Sequence, residues 1–501
     1  MVNKIYLLSP WSETKYRVPL NSLNYIKFYL LDHGYQAEII DCMHYDRNLK
    51  YLIGKLKGSK RPIIGITAYT RERFHAYDLI KRLRKEIPDS LIVVGGRHFG
   101  SLAVETLGEL PQVNIVVRGE GEITFKEICD SVKNNKGFED VLGISYKNRN
   151  DIVHNPDRPL EKNLDNFRNF DINHLPDPKT HTLTLSTKTD NSKFFIVYAT
   201  RGCAFKCIFC SLTAERVRLR SINNIIREIE NKIKITGVRN VKFGDSSLTI
   251  KKEFVVDLCE EIIRKKLNIM FSCYSRVDVD PEILNHMKKA GLVSVEVALE
   301  SGSPRVLKSI KKNIRLDQFE KYIKETYKLR IKVFVFCMIS FPDETVEDAE
   351  MTISLIKKLS EYIYLASLQV TRILPDAALF KIAKERGVVA KDFSWFEPFA
   401  ETRDGSMFKL SIYSTIPLYI EGLTEQDIVK KLDEFDGMRK KDFVYMSYIV
   451  RSIKDNLRRG SLKNMSIRLF TRKTKVALLN LFSALRNSRK EKYYHSTHKR
   501  M

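Results

Sequence analysis

Cys203, Cys207 and Cys210 stand four and three residues apart in the stretch Arg201-Gly202-Cys203-Ala204-Phe205-Lys206-Cys207-Ile208-Phe209-Cys210, directly after the strand-like run Phe194 to Tyr198. Three thiolates on one short loop can occupy three corners of a cubane iron-sulfur cluster, whose usual complement is four cysteines. The fourth iron is then open to a ligand. Structural zinc is the rival reading, but it normally uses two paired ligand sets, and no second Cys-x-x-Cys or His-x-x-x-His follows. Cys42, Cys129, Cys259, Cys273 and Cys337 are scattered singly in apolar or helical settings and read as small core residues.

With aromatic Phe209 just before the third cysteine, this loop resembles the signature of the radical S-adenosylmethionine (SAM) superfamily. The resemblance implies that Cys203, Cys207 and Cys210 ligate a 4Fe-4S cluster whose open iron is chelated by SAM. One electron, from an external donor, then splits a carbon-sulfur bond of SAM. The 5′-deoxyadenosyl radical so released abstracts a hydrogen atom from an inert carbon.

A cluster loop needs elements to present it. From Phe194 the strand-helix alternation runs six times, with strands expected at 194–198, 241–244, 269–273, 293–299, 332–339 and 364–370. Six repeats suit a partial (β/α)6 barrel of TIM-like type, whose chemistry belongs at the carboxyl ends of its strands. Those ends carry Gly244-Asp245-Ser246, Ser275-Arg276-Val277-Asp278 and Glu300-Ser301-Gly302, polar groups that an apolar core would exclude. By the resemblance, Gly244 and Asp245 touch the methionyl amino group of SAM, and Arg276 and Glu300 hold its ribose or carboxylate. Phe209 and Ser301 fall in the same SAM-binding set. Asp317 with Glu320, and Thr345 with Asp348, have the spacing of helix amino-terminal capping pairs.

The first 135 residues alternate in the manner of a doubly wound parallel sheet, Rossmann-like, with short apolar runs at 5–8, 37–40, 63–67, 91–94 and 115–117. Ligands of such sheets lie outside the carboxyl ends of the strands. Here those ends hold Thr67-Ala68-Tyr69, Gly95-Gly96-Arg97-His98 and Arg118-Gly119-Glu120-Gly121-Glu122. Their order resembles the cobalamin-binding domain that precedes the radical module in one branch of the superfamily. The resemblance makes Thr67, Tyr69, Gly95, Gly96, Gly119, Glu120 and Gly121 the cobalamin-binding set. The loop after the first strand, Ser9-Pro10-Trp11-Ser12-Glu13-Thr14, has no histidine to ligate cobalt from below.

The organisation expected is therefore a cobalamin-binding domain over 1–135, a proline-marked connector over 136–193, a radical SAM barrel over 194–390 and a basic, mainly helical region over 391–501. Of the net charge of +25, residues 439–501 hold +15, from 18 Lys and Arg against 3 Asp and Glu. Within that tail Val476, Leu478, Leu479, Leu481, Phe482 and Leu485 recur at helical spacing among basic residues. Such a helix reads as a solvated cap on the barrel or as a contact with an anionic membrane surface. No aromatic-rich RNA-binding signature accompanies the charge, which argues against nucleic acid. No apolar stretch approaches the ~20 residues that span a bilayer, so the chain is expected in the cytoplasm, at most peripheral to the inner face of the membrane.

The reading that joins these observations is a cobalamin-dependent radical SAM enzyme, a methyltransferase acting on an unactivated carbon of a small-molecule or lipid-like substrate. A radical rearrangement, cyclisation or oxidation on the same scaffold is the alternative. A zinc-stabilised binding protein with no catalysis is the second alternative.

Overall fold

The computed structural model describes residues 4–12, 20–45, 49–149, 151–168, 183–184, 193–212, 215–397 and 416–441. Short runs of β-branched and aliphatic residues in the first of its two sheets form strands that are largely buried, as parallel strands covered on both faces must be, except for the edge strand Ala37–Asp41, of which only Ile40 is buried. They are β1 (Ile5–Ser9), β2 (Ala37–Asp41), β3 (Ile63–Thr67), β4 (Leu91–Gly95) and β5 (Ile115–Val117). All five are parallel, in the order 2-1-3-4-5. The order reverses between β1 and β3, which opens a crevice at their carboxyl ends.

The connector expected over 136–193 is not free of regular structure. Its first third folds back as the antiparallel hairpin β6 (Ile144–Asn148) and β7 (Asp151–His154), which extends the first sheet beyond β5. Ile144 and Tyr146 are buried against that sheet. Arg118 donates to the Ile144 carbonyl at 2.8 Å, and Asn155 Nδ2 donates to the Val141 carbonyl at 2.8 Å. These long-range bonds fix a segment whose composition alone looks like loop.

The second sheet holds β8 (Leu183–Thr184), β9 (Lys193–Val197), β12 (Asn240–Phe243), β13 (Met270–Tyr274), β14 (Leu292–Glu300), β15 (Lys332–Ile339) and β16 (Leu365–Val370). Six of them run parallel in the order 16-15-14-13-12-9, and β8 closes the far edge antiparallel. Strict alternation along β15 shows how the wall is built. Val333, Val335, Cys337 and Ile339 are buried, whereas Lys332, Phe334, Phe336 and Met338 on the other face are only half-buried. The first set packs beneath the covering helices, leaving the second to line a lumen.

Helix ends obey local chemistry. Ser221 caps α7 (Ile222–Thr236) by accepting from the Asn224 N–H, and Gly237, at φ +66°, closes it. The expected pair Thr345 and Asp348 caps α12 (Val346–Lys358) reciprocally. Asp317 and Glu320 do not cap α11 (Leu316–Lys328), because the cap position is Arg315, which has no acceptor to offer. Asp317 pairs with Arg315 at 2.7 Å, and Glu320 pairs with Lys358 at 2.7 Å. A buried triad stitches α7 to β9: Glu228 accepts from Arg220 and Lys232 at 2.6 Å each, and those cations also donate to the Tyr198 and Ile196 carbonyls.

The described start of the C-terminal region belongs to the barrel wall. Tyr419 donates its N–H to the Thr371 carbonyl at 2.9 Å, and α14 (Glu425–Lys441) buries Ile428 and Phe435. The basic helix expected around 476–485 lies outside the described residues. Among the described residues no helix is long and apolar enough to cross a membrane.

Candidate active site

The cysteine loop springs from a two-stranded ribbon, β10 (Thr200–Arg201) with β11 (Arg218–Leu219), at the carboxyl end of β9. Gly202 starts it at φ +95°, and a Cβ there would stand 2.6 Å from the Arg216 carbonyl oxygen, so only glycine fits. Cys207 is buried, while Cys203 and Cys210 are partly exposed. The end of the short helix Pro304–Ser309, which follows β14, holds the loop: Ile208 donates to the Ile310 carbonyl at 3.2 Å, and Cys207 Sγ lies 3.8 Å from the Lys311 carbonyl. Leu212 N–H points at Cys210 Sγ at 3.3 Å. Phe209 packs on Phe341 with ring centroids 5.5 Å apart. Burial pushes the Cys207 and Cys210 thiols up, and the Lys312 ammonium nearby pulls them back.

Among the described residues no three His, Cys, Asp or Glu side chains already surround a single metal position. The donor set nonetheless suits an iron-sulfur cluster: three soft ligands on one loop, an N–H directed at a ligand sulfur, and an adjacent cation to offset thiolate charge.

Beside the loop stand the strand-end residues. Asp245 is 2% exposed, its Oδ1 accepting from the Ala199 and Thr200 N–H groups at 2.9 and 2.5 Å. Its Oδ2 is buried without a partner. Burial pushes this carboxyl up to about 6 against the pull of the donors at Thr200. An orphaned buried oxygen beside the cysteine loop is what an ammonium group of SAM would satisfy. Gly244 has no room for a side chain, since a Cβ would meet the Tyr198 ring at 2.7 Å.

Arg276 lies over the Phe205 ring at 3.8 Å, grips Asp278 through two nitrogens and donates to the Asn313 carbonyl at 3.2 Å. Glu300, 6% exposed and at φ +67°, accepts from Lys312 at 3.0 Å. Sequence reasoning passed over Lys312; its only signal was a lysine pair at the end of the helix after β14. Ser301 is fully buried, where its Oγ accepts from the Ser303 N–H and lies 3.3 Å from Thr352 Oγ1. These bonds tie it into the turn after β14. Glu344, wholly buried, accepts from the Phe341 N–H at 2.8 Å, and burial pushes its carboxyl up to about 7.

The glycine-rich rim of the first sheet approaches from the other side. Thr67 and Gly96 touch closely: a Cβ on Gly96, which sits at φ +86°, would stand 2.4 Å from Thr67 Oγ1. Gly95 packs beside Val117, and Tyr69 projects into solvent at 58% exposed. Gly119, Glu120 and Gly121 have a different setting. Glu120 is bound bidentately by Arg218, at 2.7 and 3.0 Å, and by Arg201 at 3.2 Å. Its carboxylate therefore faces the ribbon of the cysteine loop. His98 is a core residue, its Nε2 2.5 Å from Tyr77 Oη, and burial depresses its pKa to about 3, so the ring is neutral.

Below the strand ends the lumen carries charge. Lys242 reaches Glu296 at 2.5 Å and lies 4.7 Å from the centre of the Tyr274 ring. Phe334, Phe336 and Met338 on β15 offer an apolar wall opposite. Closed eight-stranded barrels fill this space with branched aliphatics, and this one leaves it polar on one side.

Comparison with known proteins agrees with the geometry. Residues 197–356 match the Radical SAM superfamily model, and residues 12–129 match the B12 binding domain. An uncharacterized methyltransferase of Pyrococcus horikoshii is 32% identical over 330 residues, covering 65% of this chain and 70% of the relative. The anaerobic magnesium-protoporphyrin IX monomethyl ester cyclase of Rubrivivax gelatinosus is 27% identical over 338 residues, 66% of this chain and 60% of that protein. The fold is shared with the radical SAM methyltransferase TsrM from Kitasatospora setae, solved with cobalamin and a [4Fe-4S] cluster, at a TM-score of 0.71 and 16% identity. That match covers 87% of this chain and 91% of the other.

Proposed function

The chain belongs to the radical SAM proteins that carry a B12-binding domain, and from that membership we propose that it methylates an unactivated carbon of an amphipathic small molecule. It is an enzyme whose cofactors are a 4Fe-4S cluster, SAM and cobalamin. When bound, the cluster with SAM supplies a 5′-deoxyadenosyl radical and cobalamin supplies the methyl group. The observation that carries the proposal is the meeting of two structures at one junction. The ribbon that carries the three cysteines at the end of β9 is ion-paired to the glycine-rich carboxyl edge of a 2-1-3-4-5 sheet.

The chain's own residues divide the work. Cys203, Cys207 and Cys210 would hold the cluster. Asp245 would accept the methionyl ammonium on its orphaned oxygen, and the Glu300–Lys312 pair would meet the opposite charges of the same amino-acid moiety. Arg276, locked over Phe205, would orient the ribose. Thr67, Tyr69, Gly95 and Gly96 would cradle cobalamin, with backbone approach permitted by the two glycines. Substrate would lie in the lumen, its apolar body on Phe334, Phe336 and Met338 and its polar end toward Lys242, Tyr274 and Glu296.

The cyclase relative favours a second reading, in which the same machinery closes a ring and transfers no methyl. Anaerobic reconstitution with cobalamin, SAM and a reductant separates the readings. About four irons per chain, bound cobalamin and 5′-deoxyadenosine are required by both, and a methylated product is required by the first alone. Failure to bind cobalamin refutes both. The electron comes from an external one-electron donor. We assign the basic segment 439–501 to an anionic membrane surface, which binding of the full chain to phosphatidylglycerol vesicles but not to neutral ones would test.

A further inference from the structure

We infer that Glu120 and Glu122 of the first domain close the neck of the cysteine loop in the second, and that with Arg201 and Arg218 they are positioning residues setting the separation of the two cofactor sites. The inference rests on the proposed use of both cofactors.

The ribbon that carries the loop has only two residues in each strand, and one of its two cross-strand pairs is Arg201 opposite Arg218. Like charges directly opposite one another destabilise a ribbon. Side-chain exposures of 20% and 5% leave little water to screen them. Left to itself, this neck would be pushed apart.

The compensating charge arrives from the other domain. Glu120 Oε1 accepts from Arg218 at 2.7 Å and from Arg201 at 3.2 Å, so one oxygen bridges both cations, and Oε2 accepts from Arg218 at 3.0 Å. Glu122 accepts from the remaining face of Arg201 at 2.6 Å. The Arg201 guanidinium is further held by the Tyr25 and Phe167 rings, at 4.6 and 4.9 Å from their centres. Two carboxylates thus meet two guanidiniums, and bidentate pairs of this kind fix geometry as well as charge. The glycines on either side of Glu120 make the approach possible: Gly119 is at φ +72°, and a Cβ on Gly121 would press on Ile26 at 3.2 Å.

The other glycine loop adds a weaker strut. Arg97, next to Gly96, donates to the Ser211 carbonyl at 3.0 Å and meets Glu215 at 3.3 Å, with both side chains well exposed. Both glycine loops at the carboxyl edge of the first sheet therefore also hold the cysteine loop. The connector contributes too, since the Glu161 carbonyl accepts from Arg218 at 2.8 Å and Phe167 lies under Arg201.

The test uses protein loaded with cluster and cobalamin and poised so that both metal centres are paramagnetic, with their dipolar broadening read by electron paramagnetic resonance. Glu120→Gln and Arg218→Gln should each keep iron and cobalamin content and lose the broadening seen in the wild type. The charge swap Glu120→Arg with Arg218→Glu should restore it. Unchanged broadening in Glu120→Gln overturns the inference. So does loss of cobalamin in Glu120→Gln but not in Arg218→Gln, which would make Glu120 a corrin ligand. Should Arg218→Gln fail to fold, Glu120→Gln combined with Glu122→Gln carries the same comparison. A wild type that takes up no cobalamin refutes the functional reading separately. Amide exchange of residues 200–219 in cluster-loaded protein then decides the clasp: faster exchange in Glu120→Gln supports it, and unchanged exchange overturns it.

Discussion

Replacing Asp245 with Asn should stabilise the cofactor-free protein above about pH 6 and weaken SAM binding at the same time. Asn keeps an acceptor for the Ala199 and Thr200 N–H groups and removes a buried negative charge. The carboxyl is raised from 3.8 to about 6, burial being the largest cause. At about 1.4 kcal/mol per pH unit, the ionised form costs the folded state about 3 kcal/mol. Because the folded value lies above the unfolded one, the folded chain binds the extra proton between those limits. The contribution of Asp245 to wild-type stability is thus greatest at the acid end and falls as pH rises to about 6. Urea unfolding of wild type and variant from about pH 4 to about pH 8 should show their difference growing from near zero to about 3 kcal/mol and then levelling. Glu344 titrates in an overlapping range but is present in both proteins, so it drops out of the difference. Equilibrium SAM affinity should fall about 10- to 100-fold, the worth of one hydrogen bond to a charged group. A difference that stays flat with pH refutes the burial argument, and undiminished SAM affinity refutes the contact.

Substituting alanine for Cys203, Cys207 and Cys210 together should remove the reconstituted iron and its absorbance while leaving cobalamin uptake intact; iron retained at wild-type content would sink the cluster assignment. Gly302→Ala places a methyl 2.6 Å from the Met351 carbonyl oxygen and 2.7 Å from Thr352 Cα, both backbone. That overpacking should cost about 1–3 kcal/mol in urea unfolding. Glu228→Gln leaves Arg220 and Lys232 buried without their shared anion, at side-chain exposures of 4% and 8%. A loss of about 3–5 kcal/mol is expected, and a loss below about 1 kcal/mol would mean that water reaches the triad.

Local signals made most of the fold legible. Apolar runs marked each parallel strand of both sheets because those strands are buried on a scale of a few consecutive residues. The cysteine loop was readable because its chemistry resides in spacing along one segment. Thr345 and Asp348 cap their helix as their spacing implies, but Asp317 and Glu320 show that spacing fails when the preceding residue is an arginine. The hairpin at Ile144–His154 was missed because its partners, β5 and Arg118, lie elsewhere in the chain. For the same reason the ion pairs of Glu120 were not legible in its glycine loop. Its arginines stand 81 and 98 positions away, and no pattern within the loop announces them.

A wall of six parallel strands has a seam that eight would have welded shut. On one side of that seam the sheet ends at the two-residue strand β8, and on the other β16 is followed by the single bridge between Arg372 and Leu418. Among the described residues neither border carries a long ladder, so closure of this wall rests on side-chain packing, as where Ile428 and Leu432 of α14 cover Leu368 and Val370 of β16.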